Sequence, residues 1–302
     1  MTDLEIRRLR FDFSDDVPFN WNPTNPAFST YMNMVSIIAI CFEKMIVAAV
    51  REALPQITDP DVAEEAEAFL RQEAQHASAH RQHVRALIRS HPGLQHTLDD
   101  SIAAYDELTE TTPLAYRLAY IADLEATFTP FFTMLLDHEA TLFAPGDDRV
   151  ASLLVWHFVE EVEHRSSALI IYDAVVGDKT YRLRVLPRIV RHLMQVTALI
   201  TNGINEHVPL AERAIDTNTI NPVHNIQARF RHPLHRRTSH TRPAFHHISW
   251  KRKLYTVFRV AMSQTPLHNP AHEPTAAFAD RWFARSARGD DVTNWYAGAQ
   301  TS

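Results

Sequence analysis

Two short stretches of this sequence pair a glutamate with a histidine three residues later. They are Glu73 with His76 in FLRQEAQHASAHRQH (69–83) and Glu161 with His164 in WHFVEEVEHRSSALIIYD (156–173). Residues three and four apart share one face of an α-helix, so each pair can offer a carboxylate oxygen and an imidazole nitrogen to the same cation. Both pairs interrupt stripes that are otherwise apolar: Phe69, Glu73, His76, His80, Val84, Leu87, and Val150, Leu154, His157, Glu161, His164, Ala168, Ile171, Val175. Two further stripes carry one glutamate each. Glu43 lies among Met32, Ser36, Ala39, Ile46, Val50 and Leu54, and Glu125 among Leu114, Leu118, Ile121, Phe128, Phe132 and Leu135.

An unpartnered carboxylate is strongly destabilising inside a core. Taken singly, Glu43 or Glu125 reads as half of a buried salt bridge. Four glutamates aimed at one core, two of them in ExxH pairs, read instead as ligands that share cations. Carboxylate and imidazole donors suit iron or manganese. The candidate ligands are Glu43, Glu73, His76, Glu125, Glu161 and His164. His80 and His157 each lie one turn from a ligand and read either as additional ligands or as partners that orient ligands. Glu160 falls off its stripe and reads as an outer hydrogen-bonding or solvated residue. Cys41 reads as packing and Trp156 as core or cavity wall.

The elements that must carry these residues are helices. Only 6 glycines occur in 302 residues, 45% of the chain is apolar, and no strand-type alternation of useful length appears. Helical patterns span about 28–54, 58–90, 113–143, 148–176 and 179–206, with a short one near 99–109 and two more at about 249–264 and 274–287. Thr58 or Asp59 can cap the second, with Pro60 in its first turn, and Pro187 is expected to start, kink or divide the fifth. The expected architecture is all-α: a four-helix bundle with additional C-terminal helices and a long irregular cover segment. It forms a single helical domain over 1–302, with an N-terminal arm (1–29), a metal-binding helix bundle (30–206), and a cover loop with C-terminal helices (207–302). The basic, His-rich stretch 224–247 reads as a solvated loop, the alternative being an anion-binding lid.

In order along the chain, the donors read Glu, ExxH, Glu, ExxH. That pattern resembles the ferritin-like di-iron and di-manganese carboxylate proteins over about residues 30–176. The resemblance implies Glu73 and Glu161 as bridging carboxylates, Glu43 and Glu125 as terminal ones, and one imidazole per metal from His76 and His164. More narrowly, QEAQHASAHRQH, WHFVEEVEHRSSALIIYD and RPAFHHISW look like a bacterial family of predicted metal-dependent hydrolases. The chain departs from that family's pattern at Phe42 and at Leu169 to Tyr172, outside the ligand set. The extra histidines resemble the arrangement in di-iron arylamine N-oxygenases, where an added imidazole ligates one iron.

Other chemistries lack their signatures. There is no glycine-rich phosphate loop, GxSxG elbow, HExxH or cysteine pair, and Cys41 alone excludes an intrachain disulfide or an Fe–S cluster on the chain's own thiolates. A net charge of −6 argues against nucleic acid or an anionic membrane as partner. The apolar run at 34–50 is interrupted by Glu43 and Lys44 and reads as a buried helix; no signal peptide is evident, and a cytoplasmic setting is expected. The first functional expectation is a di-iron oxidoreductase that uses O2, with a possible electron donor, to oxidise a small organic substrate. The alternatives are a dimetal-dependent hydrolase using a metal-bridging water, and non-catalytic iron binding. A homodimer is possible.

Overall fold

The computed structural model describes residues 4–220 and 242–297, and within them the chain is all-α, with no strands. Of the basic stretch 224–247, residues 224–241 lie outside the described residues. Four long helical segments surround the glutamates and histidines: α1 (Pro26–Ala53), α2 (Pro60–Ser90), α4 (Leu114–Leu136) and α6 (Asp148–Glu163), the last continued by α7 (Ser167–Val175). Between α2 and α4 runs α3 (Leu94–Thr111), and α5 (Glu139–Leu142) is a single turn after α4. Next come α8 (Lys179–His207) and α9 (Leu210–Arg213), then α10 (Trp250–Ser263) and α11 (Ala277–Ala287).

Helix starts follow the local chemistry. Asn25, Asp59 and Asp147 each accept a backbone N–H in the first turn of α1, α2 and α6, satisfying donors that a helix leaves free. Pro26 and Pro60 occupy first-turn positions, where a missing N–H removes no helical bond.

The bundle is assembled as two pairs, α1 against α2 and α4 against α6 and α7, with the pairs in contact across the middle. Phe132 of α4 stacks on Phe158 of α6 with centroids 4.0 Å apart and an 11° interplanar angle, one of the apolar contacts that hold the second pair together. Helix α8 lies over α3 and α4. Gly203 permits that approach, because a Cβ there would stand 2.1 Å from Thr97 Oγ1. The N-terminal arm buries Phe11, Phe13, Val17, Phe19 and Trp21 against the bundle.

Several expected boundaries differ. The pattern at 113–143 is two elements, with a turn after Leu136, and the pattern at 148–176 breaks at His164 to Ser166. At the second break Arg165 Nη1 donates to the Val162 carbonyl at 2.7 Å, giving a partner to an acceptor at the helix end. The short helix near 99–109 is longer, opening directly behind the Pro92–Gly93 turn. Pro187 neither starts nor divides α8. Both it and Leu183, whose carbonyl loses its helical donor, are exposed, so water can satisfy that carbonyl.

By length and composition the segment Pro26–Gln56 could cross a membrane, but 72% of its most apolar window is buried inside the molecule. Glu43, on its buried face, points into a carboxylate cluster, as expected of a core helix.

Candidate metal centre

Each of the four helical segments brings its ionisable residues to the same place. Glu43 comes from α1, Glu73 and His76 from α2, Glu125 from α4, His157 and Glu161 from α6, and His164 from the residue that ends α6; all are buried. They form two groups able to hold a cation, Glu43 with His76, His157 and Glu161, and Glu73 with Glu125, Glu161 and His164. Within each group the candidate donor atoms lie within 4.8 Å of one another.

Glu161 belongs to both. Its Oε1 is 2.8 Å from His157 Nε2 and 3.6 Å from His76 Nδ1, while its Oε2 is 3.1 Å from His164 Nε2. One oxygen serves each group, which is how a bridging carboxylate sits. Glu73 joins only the second group, with Oε1 3.2 Å from His164 Nε2 and 3.8 Å from His76 Nδ1. Glu43 Oε1 lies 3.3 Å from His157 Nε2, and Glu125 Oε2 lies 3.6 Å from His164 Nε2.

The donor set fits divalent ions. Both oxygens of Glu73, Oε2 of Glu43, Oε1 of Glu125 and Nδ1 of His76 are fully buried with no hydrogen-bond partner among the described residues, and native interiors rarely leave polar atoms so. Cations held by the two donor groups, to which all four residues belong, would give such atoms partners. Burial, followed by the neighbouring carboxylates, pushes Glu43 and Glu73 well above the usual carboxylate range, and Glu125 is pushed up to about 8. Glu161 is held well below that range: burial opposes its charge, but His164 and His157 more than offset it. The same contacts hold His164 well above the ordinary imidazole value despite its burial. Without cations the carboxylates cannot all ionise together; two divalent ions would let them.

Outer partners fix the two motif histidines in opposite senses. His76 Nε2 is 2.9 Å from Glu160 Oε2, leaving Nδ1 for a metal, whereas His164 Nδ1 is 3.0 Å from Gln72 Oε1, leaving Nε2. Arg7 of the N-terminal arm stands behind both. It donates to Glu160 at 3.1 Å and to Glu163 at 2.8 Å, and Glu163 accepts from Gln72 Nε2 at 2.7 Å. Burial raises Glu160 to about 7, with Arg7 opposing the rise.

The two extra histidines therefore separate. His157 is in the first group; His80, fully buried, is in neither and hydrogen-bonds His157 and Ser36 instead. Glu160 is wholly buried rather than solvated. Trp156 packs edge-on to His76 at 5.0 Å, and Cys41 is buried packing. Arg7, Gln72, Glu163 and Ser36 were not legible as site residues. The one available signal was a run of polar residues beside each ExxH, Gln72 before Glu73 and Glu163 before His164.

A cavity of about 350 Å³ opens onto the cluster. Glu43, Glu73, Glu125, His157 and Glu161 are part of its wall; the remainder is largely apolar, including Met34, Ile38, Phe42, Phe128, Phe131 and Leu193.

A family model described as predicted metal-dependent hydrolase matches residues 5–248 of the chain. No curated protein and no solved structure matches it.

Proposed function

Because the chain belongs to the family of predicted metal-dependent hydrolases, we propose that it is a two-metal enzyme that hydrolyses an uncharged, largely apolar small molecule. One observation carries this reading: two buried donor groups that share Glu161 stand at the wall of a cavity that is otherwise mostly apolar. Glu43, His76, His157 and Glu161 would hold one divalent ion, and Glu73, Glu125, Glu161 and His164 the other. Such ions, when bound, polarise a scissile group and supply a deprotonated water at neutral pH.

The chain's own part is placement. Phe42, Phe128 and Phe132 of the wall exclude bulk water and leave an apolar substrate one productive orientation, its reactive end toward the carboxylates. Among the described residues no lysine or arginine lines the cavity, which supports an uncharged substrate over an anionic one.

A second reading is oxidation by O2 at two iron ions, with an external electron donor. The sequence ranks this reading first; the family description favours hydrolysis. It retains support from the cavity wall, whose polar side chains besides the cluster are, among the described residues, Tyr31, Thr127 and Thr197, a sparse set for stabilising a hydrolytic leaving group.

The two readings part in one experiment. Protein loaded anaerobically with Fe(II) is exposed to air, and protein loaded with Mn(II) or Zn(II) is offered apolar esters. Ester cleavage without oxygen consumption supports hydrolysis. Oxygen uptake with transient visible absorption, and no cleavage, overturns it in favour of oxidation.

A further inference from the structure

Behind His157 runs a chain of buried hydrogen bonds that the metal groups do not include. His157 Nδ1 is 2.8 Å from His80 Nε2, His80 Nδ1 is 3.1 Å from Ser36 Oγ, and Ser36 Oγ is 3.1 Å from His83 Nδ1. Ser36, His80 and His83 are all fully buried. The chain ends inside the protein, where His83 Nε2 has no hydrogen-bond partner among the described residues and its ring packs on Phe13 of the arm at 5.4 Å.

One hydroxyl proton orders the whole chain. A serine has a single O–H, and among the described residues the two imidazoles are the hydrogen-bond partners of Ser36 Oγ, so its proton goes to one of them and it accepts from the other. Among the described residues neither His80 nor His83 has a carboxylate hydrogen-bond partner, and both are fully buried, so each is neutral, carrying one N–H and one acceptor nitrogen. Only two polarities then satisfy every link. In the first, Ser36 donates to His83, His80 Nδ1–H donates to Ser36, and His157 Nδ1–H donates to His80; the lone pair of His157 Nε2 then faces Glu43 and Glu161. In the second every donor is reversed, and His157 Nε2–H points at Glu161 Oε1, 2.8 Å away.

We propose that Ser36, His80 and His83 are positioning residues that hold His157 as a metal ligand through Nε2, and that metal loading selects the first polarity over the second. This rests on the two-metal reading above. His80 then acts through His157 without touching a metal. Its loss weakens the group containing Glu43, His76, His157 and Glu161 and spares the group containing Glu73, Glu125 and His164.

Two measurements test this on the full chain. Nitrogen-15 NMR of histidine-labelled protein reads the tautomers with and without Zn(II). The His80 proton is expected on Nε2 without metal and on Nδ1 with it, and an unchanged tautomer overturns the proposal. Titration with Mn(II), followed by EPR, compares the wild type with His80→Ala, His80→Gln, Ser36→Ala and Glu161→Ala. His80→Ala is expected to weaken one of two sites by about 10- to 100-fold. His80→Gln, whose side-chain oxygen can still accept from His157 Nδ1–H, restores most of that loss, and Ser36→Ala gives a smaller loss at the same site. Unchanged affinity at both sites in His80→Ala and Ser36→Ala overturns the positioning role alone. Two Mn(II) still bound as tightly by Glu161→Ala overturns the donor assignment beneath it, in which both groups share Glu161. Should His80→Ala fail to fold, the wild-type tautomers and the Ser36→Ala titration still decide the matter.

Discussion

The two donor groups grow from the same ExxH pattern yet are built differently. One surrounds its cation position with two imidazoles, His76 and His157, and two carboxylates, Glu43 and Glu161; the other offers one imidazole, His164, and three carboxylates, Glu73, Glu125 and Glu161. Their supports differ as well. His157 leans on the neutral chain through His80 and Ser36, while His164 leans on Gln72, which Glu163 and Arg7 hold in turn. A repeated motif thus specifies the direction of donors and leaves the charge of each half to the residues around it. If each half holds a cation, the one with three carboxylates would favour the harder, more oxygen-seeking ion, and the one with two imidazoles would tolerate a softer one.

Removing the residue common to both halves is the most severe way to break that contrast. In Glu161→Ala both cation positions lose a donor, and metal analysis is expected to show neither retained. Glu125→Ala removes a donor from the second half only, so it is expected to lose one metal and keep the other. If both variants lose the same number of metals, the two halves are a single coupled unit.

Stripping the metals with a chelator comes next in size. A ligand at about 100 times its dissociation constant stabilises a fold by about 2.7 kcal/mol per site, so calorimetry is expected to show a drop of several degrees in Tm. The pH dependence of the stripped protein has a definite sign. Glu125 binds its proton with a pKa of about 8 when folded, against an ordinary value of 4.5, and His164 is also raised. Groups raised in this way stabilise the fold at low pH and lose that contribution as pH rises through the folded value. The lowered histidines, His76 and His80, work the other way only below their ordinary value of 6.5. Between pH 6.5 and 8 the stripped protein is therefore expected to lose stability. The metal-loaded protein should hold or gain, because its ligands are already deprotonated.

Much of this was readable beforehand, for a physical reason. Helical periodicity is a strong constraint, and a carboxylate centred in an apolar stripe has few ways to be satisfied, so Glu43, Glu73, His76, Glu125, Glu161 and His164 stood out and do converge. What supports them was not readable. Arg7 reaches Glu160 across 153 positions from an irregular arm with no periodic pattern. Ser36 looks like any small residue on a packed face, and its importance comes from two imidazoles that meet it from another helix. The break at His164 was also hidden, since the apolar stripe continues through it from Leu154 to Ile171.

A milder change acts on the support of His76. Glu160 touches His76 Nε2 and Arg7 but belongs to neither donor group. Glu160→Gln keeps the shape and removes the charge that favours the Nε2–H tautomer. Affinity at the first half is expected to fall by about tenfold, with the second half unchanged in the same titration. An equal fall in both would mean that Arg7, released from Glu160, carries the disturbance through Glu163 and Gln72 to His164.

The smallest effect is expected where the cavity is farthest from both halves in kind. Phe128 lines the cavity, is half-buried, and stacks on Phe132 with centroids 5.0 Å apart, but it supplies no donor atom. Phe128→Ala removes ring contacts at a site that is only partly buried, so a stability cost of about 1–3 kcal/mol is expected by thermal melting. Metal content and the affinities of both halves should stay unchanged, because the ring's aromatic neighbours are Phe42 and Phe132, neither of which supplies a donor atom. The enlarged wall then shows only in substrate choice: KM falls for a longer apolar substrate and rises for a shorter one, with kcat altered little. A fall in metal content with this variant would show that the cavity wall and the donor groups share one packing unit, and the contrast between the halves would then extend into the cavity itself.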